Sequence, residues 1–355
     1  MKLQLSERNV KYLGRALPID SILYLSLSGS GFEFEYTGRG LEIELIGGAA
    51  ADTPDNDGNY ARVAIYVDGI RVVDTQVSSQ EMRLRVAESK EACTSVIRFV
   101  KLSECAMSLV GIKSMEIGEG ETVRPTPAKS HKIEFIGDSI TCGYGVDDED
   151  PLHPFKTATE DVTRAYAYKT AKALDADYSM FSTSGYGIIS GYTGDPAVKM
   201  AEQRIPLFYE SMGFSYDRIP SLPAPMDIPW DFRRYCPDAV VINLGTNDDS
   251  YCQEDRERQQ EYAAAYTEFL KTVRRHNPDA VIFCVLGLMG DRLFPWLCKA
   301  CEDFRTTTQD DRIYTVHLPE QDASAGYVSD YHPLESAHEK AAQTLIPEIR
   351  NIMGW

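Results

Sequence analysis

The hydrophobic periodicity of this chain changes near residue 125, and that change most constrains its fold. Before it, short segments alternate apolar and polar residues with a period of two, separated by turn residues such as Asp68 and Gly69. Beyond it, short apolar runs alternate with longer stretches of helical periodicity. The first pattern is typical of antiparallel strands, and the second predicts a parallel sheet covered by helices. We therefore expect a multidomain chain, with an all-β domain over residues 1–125 and an α/β domain over residues 130–355.

The predicted strands of the first domain are short and numerous. They begin at residues 22, 31, 41, 61, 71, 83 and 95. Antiparallel strands of this kind pack as a sandwich or jelly roll. Residues 122–130 contain two prolines, which break strand ladders, so this stretch is predicted to be a linker.

In the second domain, buried strands are predicted at residues 133–136, 177–183, 239–243 and 281–286. Helices are predicted at residues 165–174, 259–275, 293–305 and 335–353, the last with a kink at Pro347. Residues 200–230 are rich in proline and aromatic residues and are predicted to form a long irregular loop. Loops of this kind often wall an active site.

Composition excludes several classes of protein. The formal net charge of −18 argues against nucleic acid and anionic membranes as partners. The first ten residues lack the apolar core of a secretory signal, so we expect a cytoplasmic protein, or a secreted one if a signal has been removed. The eight cysteines follow no framework spacing and are predicted to be reduced thiols. Cys298 and Cys301 have no recognisable partners for a zinc site, so no metal or cofactor is expected.

The apolar run at residues 133–136 ends abruptly in Gly137, Asp138 and Ser139. This pattern predicts a buried strand that turns into a helix, with a serine hydroxyl at the turn. Acyl transfer needs such a nucleophile, and the positive end of the helix would stabilise negative charge beside it. Ser139 is therefore the candidate nucleophile, although a serine there could also merely cap the helix.

His332 is the candidate general base. It precedes Pro333 and a predicted helix whose apolar stripe should dock on the sheet and hold the histidine at its rim. Asp330 lies two residues earlier and could accept the imidazole Nδ1–H, which would direct Nε2 toward Ser139. A surface histidine beside an unrelated acid is the alternative.

Two further residues are candidate donors to the oxyanion of an acyl-transfer intermediate. Asn247 follows the strand at residues 239–243, and Gly185 follows the strand at residues 177–183. A side-chain amide and a bare backbone N–H can both hold an oxyanion. A brace for the loop and a plain turn are the respective alternatives. Because the carboxyl ends of parallel strands meet at one edge of a sheet, we expect these residues to converge there.

Four sequence blocks carry a family resemblance: residues 137–139, 184–185, 245–247 and 330–333 resemble the motifs of the SGNH (GDSL-type) hydrolase superfamily. The resemblance implies an α/β/α fold with Ser139 as nucleophile and His332 as base. It also implies that the Ser139 and Gly185 N–H groups and the Asn247 amide form the oxyanion hole. Most members carry the acid three residues before the histidine, where this chain has Ser329, so the choice between a triad with Asp330 and a dyad stays open.

The β-rich first half, the sequence around Trp230 and the Asp-x-His-Pro ending are similar to family-2 carbohydrate esterases. That family couples a jelly-roll domain to an SGNH domain and removes O-acetyl groups from xylan and mannan. The resemblance implies a serine esterase of the acetylxylan esterase type that acts on acetylated oligosaccharides. The alternatives are a lipase or thioesterase for longer acyl chains, and a carbohydrate-binding protein with an inactive hydrolase domain.

Aromatic residues that could stack on sugar rings lie near the four motifs or on the predicted helices. They are Tyr144, Tyr186, Tyr192, Trp230 and Trp296. Packing in the core is the commoner role of such side chains. A homo-oligomer is possible on this sequence but no feature specifies one.

Overall fold

The computed structural model describes residues 1–53, 58–86 and 88–355. These residues form two compact units. The first, here called the β unit, comprises Met1–Ala128, Lys156–Glu160 and Ser211–Pro229; the second, the α/β unit, comprises Lys129–Phe155, Asp161–Glu210 and Trp230–Trp355. This division differs from the predicted one because two short segments of the predicted α/β domain belong to the β unit.

The described strands of the β unit form two antiparallel sheets. They are β1 (Lys2–Leu3), β2 (Lys11–Leu13), β3 (Ala16–Ile19), β4 (Ile22–Leu25), β5 (Gly31–Gly38), β6 (Leu41–Gly47), β7 (Ala61–Val67), β8 (Ile70–Val77), β9 (Glu81–Val86), β10 (Cys93–Lys101), β11 (Val110–Ile117) and β12 (Thr122–Pro125). One sheet has the order β3-β4-β11-β6-β9, with β1 beside β11. The other has the order β12-β5-β10-β7-β8, with β2 beside β5.

Alternate residues of these strands meet in one hydrophobic core. In β6 every second residue is buried, as a strand with one face on a core requires. Phe32 and Phe99 stack with their ring centroids 5.1 Å apart, and they share the core with Ile43 and Leu45 of the opposite sheet. The prediction of an all-β sandwich is therefore confirmed.

The predicted linker at residues 122–130 is wrong in its first part. Residues 122–125 form β12, which pairs with β5 from Thr122 opposite Thr37 to Pro125 opposite Phe34. The strand is the terminal one of its sheet. Proline is tolerated at such an edge because no neighbouring strand requires its missing N–H.

The segment Ser211–Pro229 is attached to the β unit by a buried carboxylate. Asp217 is 7% exposed and accepts hydrogen bonds from the backbone N–H groups of Ala50 (2.9 Å) and Leu109 (3.0 Å). A Cβ atom at Gly48 would lie 1.8 Å from this carboxylate, so the close approach requires glycine there.

The α/β unit contains a five-stranded parallel sheet with the order β14-β13-β15-β16-β17. Its strands are β13 (His131–Gly137), β14 (Ala176–Ser182), β15 (Ala239–Asn243), β16 (Val281–Leu288) and β17 (Ile313–Glu320). Its helices are α1 (Ser139–Cys142), α2 (Tyr166–Ala173), α3 (Thr246–Cys252), α4 (Arg256–His276), α5 (Phe294–Thr308) and α6 (Glu335–Met353). Among the described residues, none of these helices is both long and apolar enough to cross a membrane.

Three adjacent strands end side by side. Gly137 at the end of β13 is paired with Ser182 at the end of β14 and with Asn243 at the end of β15. The loops that leave these strands therefore begin at one edge of the sheet, as parallel pairing dictates. The α/β architecture predicted from the alternation of strands and helices is confirmed.

Candidate active site

Ser139 stands at the turn between β13 and α1. The Asp138 carboxylate accepts a hydrogen bond from the Ile140 N–H at 3.1 Å and so caps the helix. The cap is therefore Asp138, and the Ser139 hydroxyl is not used for capping. A Cβ atom at Gly137 would lie 2.0 Å from the Thr141 hydroxyl, which explains why glycine precedes the turn.

His332 lies beside this serine. Its Nε2 atom is 2.9 Å from the Ser139 Oγ atom, across 193 residues of sequence. Its Nδ1 atom is 3.1 Å from the main-chain carbonyl oxygen of Asp330. Because a carbonyl oxygen can only accept, Nδ1 carries the proton and Nε2 is left free to accept one from the serine hydroxyl.

The expected contact between the Asp330 carboxylate and Nδ1 is wrong. Asp330 has φ 50° and ψ 37°, a left-handed conformation in which its carbonyl group, not its side chain, faces the imidazole. The carboxylate Oδ2 instead accepts hydrogen bonds from the Tyr144 hydroxyl at 2.6 Å and the Phe155 N–H at 3.0 Å. The structure thus presents a Ser–His dyad whose histidine is oriented by a backbone group.

The environment of His332 keeps its imidazole neutral. Burial lowers the pKa of His332 from 6.5 to about 4, and the Asp330 carbonyl and carboxylate oppose this effect without reversing it. Tyr144 covers one face of the ring, with the two ring centroids 3.9 Å apart, while an edge of the histidine stays accessible. A neutral imidazole at neutral pH can accept the serine proton.

Asn247 lies in the first turn of α3 and is 6% exposed. Its Nδ2 group donates to the Tyr186 carbonyl oxygen at 2.9 Å and to Asp138 Oδ2 at 3.2 Å. Both N–H groups of the amide therefore already have acceptors, so an oxyanion bound here would share an N–H group with the Tyr186 carbonyl oxygen or with Asp138. Through its bond to Asp138 the amide braces the turn that carries Ser139, and the same bond places this donor next to the residue that precedes Ser139.

Gly185 has φ 78°, in the left-handed region that favours glycine. Its carbonyl oxygen accepts a hydrogen bond from the Tyr192 N–H at 2.8 Å. A Cβ atom at this position would meet no atom within 4 Å, so the backbone conformation, and not crowding, accounts for glycine.

A second buried carboxylate anchors the loop that follows Gly185. Asp248 accepts hydrogen bonds from the backbone N–H groups of Ile188, Ile189 and Ser190. Burial raises the pKa of Asp248 to about 6 and that of Asp138 to about 7, and the negative charge of Asp248 contributes to the latter. Both carboxylates act as acceptors that fix the backbone around the site.

Two of the predicted sugar-stacking residues are buried. Tyr186 is 4% and Trp230 7% exposed, so neither offers a ring face to a ligand, and the prediction is wrong for both. Trp296 is half-buried in the first turn of α5. Tyr144 stacks on His332 and Phe155, which gives its ring a partner within the protein.

Two tyrosines remain exposed next to site residues. Tyr192, bonded through its N–H to Gly185, is 63% exposed. Tyr331, between Asp330 and His332, is 54% exposed and was missed in the sequence analysis. Its position inside the Asp-Tyr-His-Pro motif is the signal that would have identified it.

A serine at a strand–helix turn, paired with a histidine at the rim of a parallel sheet, places the α/β unit in the class of serine hydrolases. The chain belongs to the GDSL-like lipase/acylhydrolase family, which matches residues 135–340. Residues 12–127 match the N-terminal domain of carbohydrate esterase 2. The resemblance inferred from the four sequence blocks is confirmed, as is the combination of domains.

Individual proteins show the same similarity along nearly the whole chain. The cellulase/esterase CelE of Acetivibrio thermocellus is 31% identical over 333 residues, which is 92% of this chain but 38% of that protein. An acetylxylan esterase/glucomannan deacetylase of Cellvibrio japonicus is 27% identical over 332 residues, covering 91% of this chain and 85% of that one. The structure of a family two carbohydrate esterase from Clostridium thermocellum in complex with cellohexaose has a TM-score of 0.83, 28% identity and coverage of 98% and 99%.

Proposed function

We propose that this protein is a serine esterase that removes O-acetyl groups from xylan- or mannan-type oligosaccharides. The observation that carries the proposal is the 2.9 Å contact between Ser139 Oγ and His332 Nε2, with Nδ1 held by a backbone carbonyl. The family of the chain and the acetylxylan esterase/glucomannan deacetylase among its relatives support the choice of acetylated carbohydrate.

The proposed reaction is a two-step acyl transfer. Ser139 Oγ attacks the acetyl carbonyl carbon while His332 takes the hydroxyl proton. The backbone N–H groups of Ser139 and Gly185 and the amide of Asn247 stabilise the oxyanion. His332 then protonates the departing sugar oxygen, and a water molecule repeats the sequence on the acetyl-enzyme to release acetate.

The surroundings of the dyad suit an uncharged sugar. The exposed rings of Tyr192 and Tyr331 offer apolar faces that can stack on pyranose rings. A chain with a formal net charge of −18 repels anionic substrates and leaves neutral ones unaffected.

The test is hydrolysis of acetylated xylo-oligosaccharides and acetylated glucomannan oligosaccharides, measured as acetate release, beside a series of nitrophenyl esters from acetyl to octanoyl. We expect acetate release from the oligosaccharides and a rate that falls as the acyl chain lengthens. A rate that rises with chain length would identify a lipase or thioesterase instead. Binding of the oligosaccharides without any ester hydrolysis would identify a carbohydrate-binding protein.

A further inference from the structure

We propose that Asp330 and Tyr144 are positioning residues: the Tyr144 hydroxyl and the Phe155 N–H clamp the Asp330 carboxylate, and this clamp holds the Asp330 carbonyl against His332 Nδ1. The inference rests on the proposed function and deepens it. In this proposal Asp330 orients His332 through its main-chain carbonyl group and not through its carboxylate. Tyr144 then has a role other than sugar stacking.

The backbone around the base needs such a clamp. Asp330 (φ 50°) and Tyr331 (φ 59°) are consecutive left-handed residues, and neither is glycine. Residues with a side chain avoid this conformation because Cβ approaches the backbone oxygen, so two in succession persist only where other contacts hold them. The turn itself is closed by the Val328 N–H to the His332 oxygen (3.0 Å) and the His332 N–H to the Ser329 oxygen (3.1 Å).

Tyr144 acts on both members of the base assembly. Its ring lies between those of His332 and Phe155, with centroid distances of 3.9 and 4.3 Å. Its hydroxyl donates to Asp330 Oδ2 at 2.6 Å. One side chain therefore fixes the plane of the imidazole and also the residue whose carbonyl accepts the Nδ1 proton.

The loop that carries Phe155 supports the same turn. The Asp330 N–H and the Ser329 hydroxyl both donate to the His153 carbonyl oxygen, at 3.1 and 2.9 Å. The Ser329 N–H donates to the Asp148 carbonyl oxygen at 2.9 Å. These bonds, with that of the Phe155 N–H to Asp330, align the two loops so that the carboxylate is within reach of its donors.

A clamp and a charge relay make opposite predictions for one substitution. Asp330→Asn removes the charge but keeps an oxygen acceptor, and asparagine tolerates the left-handed conformation. Asp330→Ala removes every side-chain acceptor and leaves the main-chain carbonyl in place. If Asp330 acts as a clamp, Asp330→Asn keeps its function and Asp330→Ala loses it. If the negative charge of Asp330 is what matters, both variants lose the function.

The experiment compares kcat and KM on nitrophenyl acetate for Asp330→Asn, Asp330→Ala, Tyr144→Phe and the double variant Tyr144→Phe/Asp330→Ala. We expect Asp330→Ala and Tyr144→Phe to lower kcat by about 10- to 100-fold with little change in KM, because a misplaced base slows the chemical step. Asp330→Asn retains most of kcat. The double variant is no slower than Asp330→Ala, because both changes remove the same hydrogen bond between Tyr144 and the Asp330 carboxylate.

A matched control is Tyr235→Phe, which removes the hydroxyl of a half-buried tyrosine that donates to the carbonyl oxygens of Ile133 and Asp177 in the same unit. It should keep kcat, and thermal unfolding of every variant separates loss of positioning from loss of folding. The proposal is overturned if Asp330→Asn falls as far as Asp330→Ala while both stay folded, or if Tyr144→Phe keeps the wild-type kcat.

A second readout distinguishes failure of this proposal from failure of the proposed function. Diethyl 4-nitrophenyl phosphate phosphorylates a reactive serine hydroxyl with loss of nitrophenolate, so its rate reports the Ser139–His332 pair whatever the natural ester. We expect the rates of the variants to follow the same order as kcat. If wild type reacts with this reagent but releases no acetate from oligosaccharides, the proposed substrate is refuted, and the rates of the variants with the reagent still test the clamp. Equal rates in wild type and Asp330→Ala would refute the clamp.

Discussion

Among the individual residues, His332 determines how the proposed activity depends on pH. Burial lowers the pKa of His332 from 6.5 to about 4, and only the neutral imidazole can act as base. We expect kcat/KM for nitrophenyl acetate, which reports the free enzyme, to stay level from pH 7 to below 6.5 and to fall along a limb with an apparent pKa near 4. Circular dichroism at each pH shows whether the protein is folded. A limb centred at 6.5 or above would contradict this assignment.

Asn247 is expected to contribute to the rate through its amide donor. Asn247→Ala should lower kcat by about 10²- to 10³-fold, the usual cost of removing one oxyanion donor. Asn247→Asp keeps the shape of the side chain but replaces the donor with a carboxylate, and it should be at least as slow. Steady-state kinetics with a parallel measurement of unfolding test both; a loss of stability without a loss of kcat would make Asn247 a brace alone.

Sequence motifs located Ser139 and His332 because each follows or precedes a recognisable element. The role of the Asp330 carbonyl was beyond prediction, because it depends on a left-handed backbone and on a hydroxyl 186 residues away in the chain. For the same reason the buried Tyr186 and the exposed Tyr192 were indistinguishable, since burial is decided by tertiary packing.

At the scale of elements, the packing of α6 on α2 depends on a neutral histidine. His338 of α6 is 1% exposed, and its Nδ1 atom accepts the Tyr166 N–H at the start of α2 at 3.3 Å. Burial, with the nearby charges of Lys169 and Arg164, lowers the pKa of His338 to about 3, while Glu335 opposes the effect.

This histidine should make stability depend on pH. The unfolded chain takes up a proton on His338 below pH 6.5 and the folded chain does not, so its contribution is full above pH 6.5 and is lost as the pH falls toward 3. Between pH 7 and pH 5 we expect the free energy of unfolding of wild type, measured in urea, to decrease relative to that of His338→Asn, because the comparison cancels the other groups that titrate in this range. An identical pH dependence in the two proteins would refute this role.

Elements were predictable where local sequence and burial agreed. β15 is buried at every position and β13 is buried from Ile133 onward, and both contain mainly apolar residues over these stretches. β17 lies at the edge of its sheet with a mixed pattern of exposure, and α3 consists mainly of polar residues, so neither was predicted. β12 was not predicted because it contains a proline, a residue that a strand at the edge of a sheet tolerates.

At the scale of the whole molecule, the β unit depends on a segment distant in sequence. Asp217→Ala would leave the buried N–H of Leu109 without its carboxylate acceptor, and an unsatisfied buried donor costs about 1–3 kcal/mol. We expect a loss of this size in the free energy of unfolding measured in urea. Asp217→Asn keeps one oxygen acceptor and should lose less. Unchanged stability of Asp217→Ala would show that the segment is not held by this carboxylate.

The order of the domains and the family were predictable from the change in periodicity and the four motifs. That Lys156–Glu160 and Ser211–Pro229 belong to the β unit was not, because only tertiary contacts such as those of Asp217 attach them. Local sequence patterns predict the conformation of a segment, but they do not predict which distant residues it contacts.

The proposed acyl transfer on an acetylated sugar requires Ser139 as nucleophile and His332 as base. The most direct test is acetate release from acetylated xylo-oligosaccharides by wild type and by Ser139→Ala at equal concentrations. We predict clear release by wild type and a loss of several orders of magnitude in the variant, because no other group can replace the nucleophile. Release by Ser139→Ala at a rate close to that of wild type would exclude Ser139 as the nucleophile.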